Sequence, residues 1–565
     1  MFKLENLLRN EYLPAELPPC FNSNLFADNA TEISALLSNT DVKPSEPLLF
    51  SGYKNKNSRR KFAIPNPLNY AKTAQILSDH ATELFAIFNI NKNSLTAPVY
   101  KAPKNEECYS RKTNSIGETK IHILKQYKDN SFELRLDIQS FFDSIYTHSI
   151  AWALHSKTIA KKQRNNLDLL GNILDKNVRN MNGAQTNGIL VGNAISRIIS
   201  EIILCKVDQE INKTIEGINY LRYVDDYYIF VKDSSKIEFI ISTIRQKLAE
   251  YSLVLNESKI QVIESPFIYG KAWVEQMRMY TDLEPCVLLE KSICEYKTYN
   301  DVAILKYALN VLSDTEFCDA TWSQMQPQLL NILVKLPCLS KQITNILFAN
   351  RNGISVNLLK KTLYTVIEAN IVQKHDDEVF WAVWMIKTFD IKISIRMIHE
   401  ILASDNWIAI IILLDAIVGR NHELSIQGEI RRFKQRMMEE HFENNGEASM
   451  SSGVWLLAYE AELKGWLNTG NTEAEIFKVI QRGTFFYKLK EMGVSFYNPE
   501  NCFDQIIQKE ETIRRAFSRN ELKKLIKEIN RSSEKQDNGE DKLTFEIYDE
   551  VVRRMRSTLL FTENY

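Results

Sequence analysis

Three aspartates sit in runs that otherwise favour buried strands. Asp225 and Asp226 are adjacent in "LRYVDDYYIF" (Leu221–Phe230), and Asp137 closes "FELRLD" (Phe132–Asp137). Their neighbours are largely aromatic, β-branched or leucine, types that suit a pleated, half-buried surface. Two adjacent carboxylates in such a place repel each other and lose hydration, so something must offset the cost. The simplest candidate is a divalent cation. Mg²⁺ takes hard oxygen ligands and keeps positions for phosphate and water. Nucleotidyl transfer by two metal ions needs at least two carboxylates able to bridge the pair. Asp137, Asp225 and Asp226 are thus the candidate catalytic residues and metal ligands.

The elements that must position them are legible in outline. "FELRLDIQSFFDSIYTHSIAWAL" reads as a strand into Asp137, then a turn and a helix. "NGILVGNAISRIISEIILCKVD" reads as a Gly-punctuated loop opening a helix, with Ile195, Ile198, Ile199, Ile202 and Ile203 forming one buried stripe. The paired acids then fall on a hairpin, and "LVLNESKIQVI" (Leu253–Ile263) adds a short strand and turn. Upstream, "KNKNSRRKFAIPNP" is basic, and "YAKTAQILSDHATELFAIF" is an amphipathic helical stretch.

Beyond about residue 280 strand-like runs become rare. Apolar helical segments recur instead, among them "VNLLKKTLYTVIEANIV", "VFWAVWMIKTF" and "WIAIIILLDAIV", separated by short polar breaks. The expectation is irregular helical pairs stacked in a row, without a strict repeat. "HFENNGEASMSSG" (His441–Gly453) and "RSSEKQDNGEDK" (Arg531–Lys542) read as polar loops, and "IRRAFSRNELKKLIKEI" as a charged helical face.

The chain of 565 residues is long enough for about two to four domains. Its 44% hydrophobic and 25% charged content is that of a globular protein, and its net charge is -1. Any nucleic-acid contact must therefore come from local patches. The eight cysteines form no CxxC pair, which argues against structural zinc and against a disulfide framework. The N-terminus lacks an apolar signal core, and the run Trp407–Gly419 is too short to span a bilayer. The cytoplasm is the expected location, with no membrane association.

Taken in order, "LDIQSFFDSI", "GILVGNAISRIISEI", "YVDD" and "LVLNESK" resemble the palm motifs of reverse transcriptases over roughly residues 50 to 270. "IYTHSIAW" and "GN…SRIISEI" further resemble the bacterial abortive-infection enzymes, the AbiK-like members of the defence-associated "unknown group". That resemblance implies an α+β fingers–palm of the right-hand polymerase type followed by an all-α, HEAT-like helical repeat domain in place of a thumb. The implied boundaries are 1–130 for the N-terminal region and fingers, 131–280 for the palm (with part of the fingers in 155–190), and 281–565 for the helical domain. It implies an RNA-directed DNA polymerase-like nucleotidyltransferase that uses Mg²⁺ (or Mn²⁺) and dNTPs and acts in anti-phage defence.

Carried over residue by residue, the resemblance makes Asp137, Asp225 and Asp226 metal ligands, with the Ile138 carbonyl as a backbone ligand. Phe142 matches the bulky gate against the ribose 2′-hydroxyl. Arg59, Arg60 and Lys61 match a basic fingers segment for triphosphate oxygens. Gly192, Asn193 and Lys259 complete the nucleotide-binding set, Lys259 as proton donor or charge stabiliser for pyrophosphate. One departure stands out. Template-copying enzymes carry Pro-Gln-Gly where this chain has Leu190-Val191-Gly192. Loss of the glutamine suits the family's synthesis without a conventional primer or template, in which a protein hydroxyl, usually a tyrosine, starts the strand. Single-stranded DNA attached to the protein, a homo-oligomer, and a non-coding RNA or accessory protein as partner follow from the same family. None of the 23 tyrosines is singled out as the primer.

Other readings make different demands. A retroelement enzyme would carry a basic thumb or a Cys/His-rich tail, which near-neutral charge and unpaired cysteines disfavour. A helical scaffold with a relic palm would not need three intact aspartates. Arg436 and His441 have the R-x4-H spacing of HEPN ribonucleases, a short pattern that chance supplies readily. His148 and His155 read as structural.

Overall fold

The computed structural model describes residues 2–501, apart from 10, 39, 41, 100–109, 112–115, 268–269, 314, 316, 421–422, 443–449, 471 and 473–474. The polar stretch 531–542, the charged stretch 513–529 and part of the loop at 441–453 lie outside the described residues.

At the centre is a four-stranded antiparallel sheet, ordered Asn219–Tyr223, Asp226–Val231, Phe132–Asp137, Gln261–Glu264. Alternation explains which face it buries. Leu134, Leu136, Tyr227 and Ile229 are enclosed and join the main core, which also takes the isoleucine stripe of the Ala194–Thr214 helix. The opposite face carries a smaller cluster of Leu95, Ile123, Leu221 and Phe230. The expected strand over Leu253–Ile263 starts later than its composition suggests. Leu255 makes an isolated bridge to Ile138, Glu257–Lys259 is a 3₁₀ turn, and the strand is Gln261–Glu264.

A separate hairpin precedes the sheet, Leu48–Asn55 against Ser58–Ile64. The amphipathic stretch after it is two helices, not one. Pro67–Asp79 is capped by the Asn66 side chain, and Ala81–Ile90 follows after a break at His80. From Ala272 onward the described residues contain helices and no strand. Some pack on the next helix, as Pro285–Tyr299 on Val302–Val311 and Val356–Ile371 on Asp376–Thr388, and others on the helix two positions along: Val302–Val311 on Ser340–Ala349, Asp319–Lys335 on Val356–Ile371, and Asp376–Thr388 on Trp407–Ile417. The Trp407–Ile417 helix is buried nearly all round, and its Asp415 pairs with Lys387 at 2.7 Å. Among the described residues no single helix is long and apolar enough to cross a membrane.

The helical region folds back on the N-terminal half. Trp381 Nε1 donates to the Glu16 carbonyl at 3.0 Å, Glu46 N–H to the Ser451 carbonyl at 2.7 Å, and Asn498 N–H to the Cys20 carbonyl at 2.7 Å. One hydrophobic core therefore runs without a break through residue 280.

Candidate functional site

Strand register brings the acids together. Asp137 stands directly opposite Asp226, and Asp226 also faces Tyr223 across the hairpin that Val224 and Asp225 close. Val224 has φ +53°, in the left-handed region that a β-branched residue rarely enters. Strain of this kind persists only where surrounding contacts over-determine it.

The charges are crowded. Loss of hydration, and then Asp137, push the Asp225 carboxyl above its ordinary range. Loss of hydration, followed by the charges of Asp225 and Asp137, pushes Asp226 up to about 6. Lys259 Nζ lies 2.7 Å from Asp137 Oδ2, which also accepts from Asn256 Nδ2 at 3.0 Å. That hydrogen bond to Asp137 outweighs the desolvation of Lys259 and holds its ammonium above the ordinary range. Among the described residues no three Asp, Glu, His or Cys side chains are gathered tightly enough to hold a metal ion as they stand. The donor set nevertheless fits a hard divalent cation. It offers carboxylate oxygens alone, and raised carboxyls mark negative charge short of compensation. Ile138, proposed as a backbone ligand, follows Asp137 directly and is buried in its bridge to Leu255.

Alternation along the Ser58–Ile64 strand divides the basic run. Arg60 lies close enough for its charge to lower the Asp225 carboxyl. Arg59 points the other way and is taken up by Asp377 and Glu378, so the structure gives it a docking role in place of the expected phosphate contact. Lys61 is exposed and pairs in register with Ser51.

The loop before the Ala194–Thr214 helix comes up against the same strand, with Ala63 N–H donating to the Val191 carbonyl at 3.1 Å. Gly192 has φ +108°, and a Cβ there would lie 2.8 Å from Pro14 Cγ and 3.3 Å from Phe62 Cδ1, so only glycine fits. Asn193 is a helix cap and not an open nucleotide contact. It is 1% exposed, its side-chain oxygen accepts from Ser196 N–H at 3.0 Å, and its amide donates to the Leu190 carbonyl at 3.0 Å. Phe142 is half-buried on the turn after Asp137, and its carbonyl accepts from Ile189 N–H at 2.9 Å, which ties it to this loop.

The histidines serve the frame. His148 Nδ1 is 2.6 Å from Asp175, and His155 Nε2 accepts from Gly171 N–H at 2.9 Å. Arg436 donates to the Ala403 carbonyl at 3.1 Å, and His441 packs edge-on against Trp407.

Residues 56–279 match the protein family described as "Reverse transcriptase (RNA-dependent DNA polymerase)". This segment is a reverse-transcriptase domain. It is of the RNA-directed DNA polymerase type, a class of nucleotidyltransferase that generally uses divalent metal ions. No curated protein matches the chain significantly. Solved structures similar to it include apo telomerase from Candida Tropicalis, at 13% identity and TM-score 0.31 over 62% of this chain and 66% of that one. Another is telomerase from Candida albicans in complex with a fragment of telomeric RNA, at 13% identity and TM-score 0.27 over 63% and 67%. The chain spans about two thirds of the length of these telomerases.

Sequence reasoning missed the support behind the hairpin of Asp225 and Asp226. Arg222 is fully enclosed, forked onto Glu201 at 2.9 and 3.0 Å and bonded to Asp208 at 2.9 Å. The signal was present. Glu201 and Asp208 are two turns apart beside the isoleucine stripe of one helix, and an arginine sits alone in a strand-forming run.

Proposed function

We propose that the chain is a DNA polymerase of reverse-transcriptase type that adds dNTPs by two-metal nucleotidyl transfer, starts from a protein hydroxyl and acts in anti-phage defence. The observation that carries this reading is the register placing Asp137 opposite Asp226, beside Asp225 and Lys259. Asp137, Asp225 and Asp226 would hold the ions, and Mg²⁺ or Mn²⁺ bound there would activate the attacking hydroxyl and neutralise the departing pyrophosphate. Lys259 keeps a proton on Nζ beside Asp137 and places positive charge where the pyrophosphate leaves. Arg60 supplies a second cation near Asp225, able to take a triphosphate oxygen. Phe142 closes the sugar side against a 2′-hydroxyl.

Three features favour the abortive-infection reading within this class. The Leu190-Val191-Gly192 loop has no amide side chain to pack on a templated base pair. The chain is near neutral overall, with no excess of basic residues to hold a long duplex. Helices that pack two positions along suit a HEAT-like stack, which would guide a single-stranded DNA product or join copies of the chain into an oligomer. A bacterial cytoplasm, and a structured RNA or accessory protein as partner, belong to the same reading.

The test uses purified full-length protein with Mg²⁺ and labelled dNTPs, and no primer or template. Label that stays on the protein through SDS and is released by DNase supports protein-primed synthesis. Label that appears only with a primed RNA template makes this a conventional reverse transcriptase.

A further inference from the structure

The hairpin that carries Asp225 and Asp226 is gripped at one residue from two sides. Val224 N–H donates to Thr96 Oγ1 at 3.2 Å, and the Val224 carbonyl accepts from Arg222 Nη1 at 2.8 Å. Both grips converge on Glu201. It accepts from Thr96 Oγ1 at 2.8 Å and from both terminal nitrogens of Arg222. Asp208 closes the other side, accepting from Arg222 Nε at 2.9 Å, Tyr220 OH at 3.1 Å, Tyr227 OH at 3.4 Å and Asn91 Nδ2 at 2.5 Å. The pocket thus holds one guanidinium against two carboxylates, out of water, with the charged atoms hydrogen-bonded.

An enclosed ion triad contributes little to net stability compared with apolar packing of the same volume, so its presence calls for another account. Its reach supplies one. Within the hairpin turn it holds the backbone of Val224, the residue in the left-handed conformation immediately before Asp225, at both N–H and carbonyl. A fixed fork of donors suits this task, because one guanidinium can bind Glu201 bidentately and still offer a hydrogen to the Val224 carbonyl.

We propose that Arg222, together with Thr96 and Glu201, is a positioning device that holds the Val224 turn so that Asp225 and Asp226 stay aimed at Asp137 and can share a divalent cation with it. The proposal rests on the polymerase reading for its purpose, though not for its test. Groups behind metal ligands typically change metal affinity ten- to a hundredfold when removed.

Two hydroxyl losses separate positioning from simple support. Thr96→Val removes a hydrogen bond to Glu201 and the grip on Val224 N–H. Ser94→Ala removes a hydrogen bond to the same Glu201, donated by Ser94 Oγ at 3.1 Å, and the two that Ser94 Oγ accepts from Thr96 N–H at 3.2 Å and Ala97 N–H at 3.0 Å, but it leaves both grips on Val224 in place. Equilibrium Mn²⁺ binding to the full-length protein is followed by electron paramagnetic resonance, and unfolding by urea is measured alongside. Thr96→Val is expected to weaken Mn²⁺ binding about tenfold, with Ser94→Ala within about twofold of wild type at comparable unfolding midpoints. Arg222→Lys, which keeps a charge and loses the fork, is expected to follow Thr96→Val. Equal Mn²⁺ affinity in Thr96→Val and wild type, equal losses in both variants, or no Mn²⁺ binding by wild type would each overturn the proposal. The expected Mn²⁺ pattern without dNTP incorporation would leave the positioning device standing and remove the polymerase reading.

Discussion

Arg59 of the first hairpin and Glu378 of the Asp376–Thr388 helix, 319 residues apart, form a two-pronged pair, with Nη1–Oε1 and Nη2–Oε2 both at 2.7 Å. Around it the helix reaches further into the hairpin. Ser51 N–H donates to Asp376 at 2.7 Å, and Tyr53 N–H to Asp377 at 2.8 Å. The helical region therefore sets where the hairpin that carries Arg59 and Arg60 sits.

The two acids beside Arg59 divide the charge unequally. Burial and the neighbouring Glu378 push Asp377 up to about 8, while the hydrogen bonds of Arg59 and Asp377 hold Glu378 low against its own burial. Of the two, Glu378 is the acid that Arg59 holds more firmly in its charged form. Glu378→Gln should then cost on the order of 2–3 kcal/mol by leaving Arg59 without its main partner, and Asp377→Asn much less. Because Asp377 is raised above its unfolded value, its contribution to stability falls as pH climbs from about 4 towards 8. Urea unfolding of both variants at pH 6 and pH 8 checks the order and the slope.

Asp226 gives the same sign at the functional site. Its folded value of about 6 lies above that of the unfolded chain, so stability falls as pH rises through the interval between the two. In metal-free buffer Asp226→Asn should flatten that slope and raise stability, by less than about 1 kcal/mol because solvent screens the exposed carboxylate. A substitution that stabilises the protein while abolishing incorporation would mark a charge retained for function.

Gly192→Ala should destabilise the protein by about 1–3 kcal/mol, because the new Cβ meets Pro14 and the positive φ penalises any side chain. Thermal unfolding of the variant, with Gly217→Ala as a positive-φ control in open space, separates the clash from the backbone cost.

Phe142→Ala should raise the use of ribonucleotides relative to deoxyribonucleotides by about 10- to 100-fold, the scale of one lost steric contact. The ratio of kcat/KM for a dNTP and its matching NTP measures it.

Much of the site was readable because its chemistry is local. Asp137, Asp225 and Asp226 announce themselves as charges in strand-forming runs, and alternation along the strands leads to the observed register. The helical texture after residue 280 follows from apolar spacing in the same way. Other features depend on partners far along the chain. That Arg59 meets Glu378, while Arg60 faces Asp225, follows from strand alternation only once the Asp376–Thr388 helix is known to cover one face. Asn193 is placed in the nucleotide-binding set by resemblance, and its cap to Ser196 depends on where the helix begins. The Arg222 triad was missed because its three charges lie on two elements whose packing no short motif encodes.

On the proposed reading, Asp137, Asp225 and Asp226 form one metal-dependent nucleotidyl-transfer centre. The most direct test measures labelled dNTP incorporation with Mg²⁺ by wild type and by Asp225→Asn, with and without a primed RNA template. Wild type is expected to incorporate label in at least one arm, with incorporation abolished by EDTA and reduced about a hundredfold or more in Asp225→Asn. Incorporation that Asp225→Asn supports as well as wild type, or none from wild type in either arm, would contradict that reading.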